Sequence, residues 1–262
     1  MRAAKLAARR SCARAALALT SGACVLLGAG TVAPAPARTA GPAEPVVRAP
    51  CVEMRTGAPA LPRWARARRM TILMDSVLLG ARPGIRAAMP RWRIDAYGRP
   101  ALMIRIAERE LRTRRRRLAP LVVVGLGHNS LWEKGRRRFG YWSSRFDREA
   151  RRLVRTARRL GAEQIVWVTL REPKPRFLTP LGRRELHLYS WYFPWVNQRL
   201  RRLDRERPDV VLADWTAVSG RRGLTYDSIH TTAKGAALMG ATIKRAVVAE
   251  ACRQVRASGR TA

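Results

Sequence analysis

The chain has 262 residues, enough for one well-packed domain and little beyond it. Its 53 lysines and arginines stand against 18 aspartates and glutamates, which gives a formal net charge of +35, and all but five of these cations are arginine. This excess predicts attraction to polyanions, such as nucleic acid, anionic lipid or an acidic envelope polymer. No base-reading motif accompanies the arginines, so nucleic acid is not an expected partner. We expect a monomer.

The first 37 residues have the composition of a secretory signal peptide. Five cations and no acid occur in residues 1–14, an uncharged stretch rich in Ala and Leu follows at 15–37, and small residues flank Pro34 and Pro36. The apolar part is short and interrupted by glycine, which argues against a membrane span. We therefore expect a signal peptide at 1–37 and a periplasmic, cell-wall or extracellular protein. An uncleaved anchor and a lipidated Cys24 are the alternatives.

Two of the four cysteines, Cys51 and Cys252, remain after removal of such a signal. Two thiols in an exported protein favour a disulfide, which would bracket the whole domain, and two unrelated thiols are the alternative. The sequence has no Cys-x-x-Cys or His-x-x-x-His spacing and only three histidines, so we expect no metal site.

Residues 38–68 contain five prolines and no apolar periodicity, which predicts a linker or an irregular strap. The domain is predicted at 69–256, with a tail at 257–262. Within it, apolar runs alternate with helical patterns. The predicted strands are 70–74, 92–97, 120–125, 164–169 and 209–213, and the predicted helices are 77–88, 101–117, 145–160, 192–206 and 232–252.

A helix after each of five strands predicts a parallel sheet. The runs at 121–125 and 165–169 are apolar without alternation, as expected when helices cover both faces. We predict a doubly wound, flavodoxin-like α/β fold with a five-stranded parallel sheet. Ligands of such sheets bind at the carboxyl ends of the strands. The chain has no Gly-x-Gly-x-x-Gly and no Walker-type loop, so a nucleotide is disfavoured and we expect no cofactor.

Several polar residues and a glycine follow the predicted strands. Ser76 comes directly after the first strand, Gly98 after the second and Asn129 after the third. Asp227-Ser-Ile-His230 places an acid three residues before a histidine, the spacing at which one turn brings a carboxylate to an imidazole nitrogen.

Each of these residues has a structural alternative when it is viewed alone. A serine before a helix is commonly an N-cap, and Asp227 and His230 can belong to the loop that leads to the capping Thr231-Thr232. A glycine after a strand is commonly a turn residue. The order and position of all of them together favour an acyl-transfer site.

The same residues resemble the four blocks of the SGNH (GDSL-like) hydrolase superfamily over about residues 70–250. More narrowly, the segments 74–81, 94–99, 126–129 and 213–215 resemble soluble SGNH domains associated with bacterial cell-wall O-acetyltransferases. The resemblance implies Ser76 as nucleophile, His230 as base and Asp227 as its orienter. It also implies an oxyanion hole formed by Ser76, Gly98 and Asn129.

Two residues depart from the family pattern. Met74 stands where the family usually has glycine, and His128 stands where the wall-enzyme pattern usually has a small polar residue. His128, Trp132 and Trp191 are the predicted substrate-binding residues, because aromatic side chains flank the site and the long segment 171–191 lies at this rim. Core packing is the alternative for the aromatic side chains.

Two classes of function follow. The first is an exported serine esterase that hydrolyses acetyl or other short O-acyl esters, with cell-envelope glycans as the expected substrates, or a related O-acyltransferase that moves the acyl group to a cell-wall sugar hydroxyl. The second is a catalytically silent, basic wall-binding module. An anionic envelope polymer is the expected partner in either class, and no multi-span membrane domain is expected.

Overall fold

The computed structural model describes residues 61–114, 117–130, 139–172 and 186–259. The described residues form an α/β fold whose strands are β1 Arg69–Met74, β2 Arg93–Gly98, β3 Leu121–Gly125, β4 Gln164–Val168 and β5 Val210–Ala213. Its helices are α1 Arg63–Arg66, α2 Ser76–Ala88, α3 Ile104–Arg114, α4 Phe139–Arg159, α5 Leu186–Glu206, α6 Trp215–Val218 and α7 Ala233–Ser258. No described helix is long and apolar enough to cross a membrane.

The five described strands are all parallel and lie in the order β2-β1-β3-β4-β5. The predicted fold class is therefore confirmed. The chain adds β2 on one side of β1 and then returns to add β3 on the other side, so the strand order reverses at β1. In this register Met74, the last residue of β1, pairs with Gly98 on one side and Gly125 on the other. The switch point, where ligands of such folds bind, lies directly before Ser76.

The central strands are apolar because both of their faces are covered. All five residues of β3 and all five of β4 are buried, and so are five of the six residues of β1. The edge strand β2 is only half-buried along most of its length. The absence of alternation that the sequence shows at β3 and β4 thus reflects helices packed on both sides of the sheet.

Helices α2 and α7 contact each other through bare backbone. A Cβ added to Gly84 of α2 would lie 2.0 Å from the carbonyl oxygen of Ala236, and one added to Gly240 of α7 would lie 2.2 Å from the carbonyl oxygen of Gly84. Neither position has room for a methyl group. This close approach fixes the start of α2, at Ser76, relative to the start of α7, which follows His230 by three residues.

Some predicted boundaries differ from the observed ones. Helix α3 begins at Ile104 and not at 101, because Ala101 has a left-handed backbone with φ of 57° that a helix cannot include. Helix α7 continues to Ser258, beyond the predicted helix end at 252, because its buried face extends to Val255. Helix α4 begins at Phe139, earlier than the predicted 145.

The last part of the predicted strap at 38–68 is ordered against the domain. Trp64 of α1 is 3% exposed, and its indole N–H donates to Oε1 of Gln254 on α7 at 3.0 Å. The predicted signal peptide at 1–37, most of the strap and Cys51 lie outside the described residues. Cys252, the predicted partner of Cys51, is buried in α7, and their pairing stays a prediction.

We predict that Gly240→Ala lowers the free energy of unfolding by about 1–3 kcal/mol, because the added methyl must push α7 away from α2. Urea denaturation of the purified protein measures this change. Gly80→Ala is the matched control, since Gly80 lies on the exposed side of α2 and its added Cβ would approach only Thr231 Oγ1, at 3.4 Å. The control should be neutral or stabilising by up to about 1 kcal/mol. Equal effects of the two substitutions would contradict the proposed role of the contact.

Candidate active site

In the turn between β1 and α2, the Ser76 hydroxyl is not needed to cap the helix. Asp75 is the N-cap of α2, with extended backbone, and its Oδ1 accepts a hydrogen bond from Val77 N at 3.0 Å. Ser76 is the first residue of the helix and not its cap. The structural alternative for Ser76 is therefore wrong, because its neighbour already satisfies the helix N-terminus.

The structure brings Ser76, His230 and Asp227 into one hydrogen-bonded chain. Ser76 Oγ lies 2.9 Å from His230 Nε2, and His230 Nδ1 is hydrogen-bonded to Asp227 Oδ2. The other carboxylate oxygen, Asp227 Oδ1, accepts from the backbone N–H groups of Ile229 at 3.0 Å and His230 at 2.7 Å. One carboxylate thus shapes the turn and also orients the imidazole. Capping of α7 is performed separately by Thr232, whose Oγ1 accepts from Gly235 N at 3.2 Å.

The hydrogen bonds of this chain shift both of its titratable groups. Burial alone would raise the pKa of Asp227, but the hydrogen bonds from His230 and from the backbone N–H groups of Ile229 and His230 hold that pKa below its ordinary value. The hydrogen bond to Asp227 raises the pKa of His230 above 6.5, against the opposite effect of burial, and the negative charges of Asp227 and Asp75 add to the rise. The site thus favours a His230 that holds a proton readily.

A second network surrounds Asp75, whose carboxylate is fully buried. His128 Nδ1 lies 2.9 Å from Asp75 Oδ2, and Asn129 Nδ2 lies 3.5 Å from the same oxygen. The His128 ring also meets Phe193 edge-on, with ring centroids 5.4 Å apart. The sequence assigned no role to Asp75 beyond its place beside Ser76. The sequence features that could have indicated this contact are the acid Asp75 directly before the serine and the histidine His128 after β3.

Gly98 lies beside the end of β1, and its close approach to Met74 leaves no room for a side chain. A Cβ there would lie 2.1 Å from the carbonyl oxygen of Met74 and 2.4 Å from its Cγ. Met74 is 1% exposed, so its bulky side chain is buried partly against the bare Cα of Gly98. The turn before Ser76 accommodates methionine at this position because glycine stands at the partner position of β2.

A cavity of about 450 Å³ opens beside Ser76 and His230. Its walls are largely apolar, and the residues that line it are Ser76, Val77, Pro100, Ala101, Met103, His128, Asn129, Phe193, Ile229 and His230. Sequence reasoning missed the apolar members of this set, which come from four separate segments. Asn129 and His128 line the cavity, and their predicted roles in the site stay predictions. Gly98 and Trp191 are not among its described lining residues, and Trp132 lies outside the described residues.

Trp191 packs beside the ring of Tyr192. It is half-buried, and its ring centroid is 5.8 Å from that of Tyr192.

Within the described segments, no three His, Cys, Asp or Glu side chains are placed to hold a metal ion. The distance of 2.9 Å between Ser76 Oγ and His230 Nε2 is suitable for proton transfer next to an apolar cavity.

We predict that His230 titrates above pH 6.5 and that Asp227→Asn lowers its pKa, since the carboxylate hydrogen bond is the largest cause of the rise. NMR titration of the imidazole carbon-bound protons measures both values. An unchanged His230 pKa in the variant would contradict the observed hydrogen bond.

No family model and no curated protein sequence matches the chain. Solved structures do match it. A GDSL-like lipase from Bacteroides thetaiotaomicron VPI-5482 is 16% identical with a TM-score of 0.53, and the match covers 72% of this chain and 91% of that chain. A putative acylhydrolase from Bacteroides fragilis NCTC 9343 is 13% identical with a TM-score of 0.53, covering 74% of this chain and 92% of that chain.

A further match is the C-terminal catalytic domain of peptidoglycan O-acetyltransferase A from Streptococcus pneumoniae. It is 18% identical over 72% of this chain and 93% of that chain, with a TM-score of 0.45. The narrower resemblance to wall acetyltransferase domains therefore stays a prediction. The matches to the lipase and the acylhydrolase agree with the resemblance in the sequence blocks, and the chain has the fold of the SGNH (GDSL-like) hydrolases.

Proposed function

We propose that the protein is an exported serine esterase of the SGNH type that hydrolyses acetyl or other short O-acyl esters through an acyl-serine intermediate. The observation that carries this proposal is the hydrogen-bonded chain from Ser76 through His230 to Asp227 at the wall of an apolar cavity. A serine hydroxyl is a poor nucleophile unless a base within hydrogen-bond distance takes its proton.

In the proposed mechanism, Ser76 Oγ attacks the ester carbonyl while its proton passes to His230 Nε2. Asp227 holds the imidazole in the Nδ1–H tautomer and stabilises the imidazolium that forms. His230 then returns the proton to the departing alkoxide, which leaves as the alcohol, and Ser76 keeps the acyl group. Water, deprotonated by His230, attacks the acyl-serine. The bond from the acyl carbon to Ser76 Oγ then breaks, the carboxylic acid leaves, and His230 returns the proton to Ser76 Oγ.

The tetrahedral intermediate needs donors for its oxyanion. The backbone N–H of Ser76 belongs to the first turn of α2, where N–H groups have no acceptor within the helix and the helix dipole favours negative charge. The Asn129 amide lines the cavity, and its Nδ2 makes a long contact of 3.5 Å to Asp75 Oδ2, so it can turn toward the substrate. We assign these two donors, with Gly98 N as the third, to the oxyanion hole.

An O-acyltransferase is the alternative outcome of the same acyl-serine. It requires a sugar hydroxyl to replace water in the second half-reaction. The described cavity walls are mainly apolar and suit the acyl group of either reaction, and we favour the esterase because it needs only water as the acceptor. The silent wall-binding module is disfavoured by the Ser76 to His230 distance of 2.9 Å, which is already suitable for proton transfer.

We propose a location outside the cytoplasm and an anionic envelope polymer as the surface that the protein meets. Exposed arginines on α4 recur at the helical spacing that places them on one face, namely Arg148, Arg152, Arg155 and Arg159. A row of cations on one helix attracts a polyanion, and salt weakens the attraction. Polysaccharides with an acylated hydroxyl would then supply the ester and the anionic surface together.

Ser76→Ala and His230→Ala should each abolish hydrolysis of p-nitrophenyl acetate, since they remove the nucleophile and the base. Wild-type protein should be labelled at Ser76 by a serine-directed phosphonate, as detected by mass spectrometry. Ser144→Ala on the exposed face of α4 is the matched control and should retain the wild-type rate. Full activity in Ser76→Ala would exclude the mechanism. Products measured with and without a glycan acceptor separate hydrolysis from transfer.

Asn129→Ala should lower kcat by about 10²-fold or more if its amide binds the oxyanion. Steady-state kinetics measure this effect, and thermal unfolding checks that the fold is kept. A rate equal to that of wild type would reduce Asn129 to a structural role beside Asp75.

The exported protein should begin after residue 37 and contain no free thiol, because Cys51 and Cys252 are then paired. N-terminal sequencing and thiol titration of protein from the culture medium or cell envelope measure both properties. Reduction should lower the melting temperature before it lowers activity at room temperature, since a loop of this length contributes roughly 4–5 kcal/mol in the entropic description. Two titratable thiols would exclude the bridge.

A further inference from the structure

Arg171 is a buried arginine on the connection that follows β4, and sequence reasoning gave it no role. Its residue is 2% exposed, its Nε donates to the carbonyl oxygen of Ser219 at 2.9 Å, and its Nη1 donates to the carbonyl oxygen of Ser228 at 2.7 Å. Burial lowers the pKa of Arg171, and the negative charge of Asp227 opposes that effect. A guanidinium is rarely buried without such partners, because the loss of hydration is large.

Ser228, which accepts one of these hydrogen bonds, lies inside the turn between Asp227 and His230. Its φ of 78° is left-handed, a conformation that is unfavourable for a residue with a Cβ. Such a conformation persists only when surrounding contacts hold it. Asp227 Oδ1 accepts from the N–H groups of Ile229 and His230, and Arg171 donates to the Ser228 carbonyl oxygen, so both side chains hold this turn.

The position of Arg171 is itself fixed to the sheet. The side chain of Asn197 on α5 is fully buried and binds both backbone groups of Leu170, with Oδ1 accepting from N and Nδ2 donating to O, each at 2.8 Å. Leu170 directly precedes Arg171, two residues after β4 ends at Val168. The carboxyl end of β4 is thereby connected to the turn that holds Asp227 and His230.

We propose that Arg171 is a positioning residue for His230, in that its guanidinium fixes the Asp227–His230 turn to the carboxyl end of β4 and keeps Nε2 within hydrogen-bond distance of Ser76. The expected loss of kcat when Arg171 is replaced rests on the proposed function, whereas the expected displacement of His230 does not. Arg171 acts through the turn, because it is not among the described residues that line the cavity.

The test compares Arg171→Met and Arg171→Lys with the control Arg158→Met. The guanidinium of Arg158 also binds two backbone carbonyls, those of Ala162 at 2.8 Å and Glu163 at 2.7 Å. These carbonyls directly precede β4, so the contact lies at the amino end of that strand and not at the carboxyl end, where the candidate site lies. Each purified protein is examined for melting temperature, for kcat and KM with p-nitrophenyl acetate, and for the downfield NMR resonance of the proton on His230 Nδ1. Kinetics and spectra are recorded well below the lowest melting temperature.

We expect Arg171→Met to lower kcat on the order of 10²-fold with little change in KM, since misplacement of a catalytic group by about 1 Å has effects of this size. The Nδ1 proton resonance should broaden or disappear. Arg171→Lys should be intermediate, because one ammonium cannot reach both carbonyls with the fork geometry of a guanidinium. The control Arg158→Met should leave the resonance and kcat unchanged, whatever its melting temperature.

A folded Arg171→Met protein that keeps the wild-type resonance and kcat would overturn the proposal. If Arg171→Met does not fold, a wild-type resonance and kcat in Arg171→Lys would overturn the proposal instead. If the wild-type protein neither hydrolyses the ester nor reacts with the phosphonate, the proposed function fails. In that case, loss of the resonance in Arg171→Met still supports the positioning role of Arg171, and its retention still overturns it.

Discussion

The direct contact between the backbones of α2 and α7 is the constraint on which the described site depends. Gly84 and Gly240 permit this contact because neither has a side chain to separate the helices. Ser76 opens α2 and His230 lies just before α7, so the crossing of these helices sets the distance between Oγ and Nε2. The reacting groups are therefore held by long elements of the fold, which fixes their geometry more firmly than a free loop would.

A buried carboxylate completes the positioning of the serine. Asp75 uses one oxygen to cap α2 and the other to bind His128 and to approach Asn129. A charge without access to water needs such partners, because its hydration is lost. The same contacts connect the ends of β1 and β3, the two strands that flank the switch point. The strand order and the local chemistry thus place the candidate nucleophile at the same position.

Much of the fold could be predicted from the sequence because it depends on local patterns. The unbroken apolar runs of β3 and β4 indicate a sheet covered on both faces, and Asp227-x-x-His230 closes its hydrogen bond within one turn. The start of α4 was missed by six residues, and among its described side chains, from residue 143 onward, the first buried position is Phe146. Arg171 could not be assigned either, since its partner Ser228 is 57 residues away and only the folded structure brings them together.

The choice between a capping and a reactive role for Ser76 shows the same limit. Asp75 and Ser76 are both good N-cap residues, and the sequence gives no reason to prefer one. The extended backbone of Asp75 decides it in the folded chain. The apolar wall of the cavity is a further case. In the sequence, Met103, Phe193 and Ile229 cannot be distinguished from ordinary core residues, and only the fold shows that they lie beside Ser76.

The contact between Met74 and Gly98 makes the residue types at these two positions interdependent. In the family pattern the small residue precedes the Asp-Ser pair, whereas here methionine occupies that position and is accommodated against the glycine of the neighbouring strand. A change to glycine at 74 alone would leave a void where the thioether is buried, and any side chain at 98 alone would collide with the β1 backbone. The side chains that these two positions can accept are therefore a property of the pair, so a glycine at 74 would require new packing around position 98.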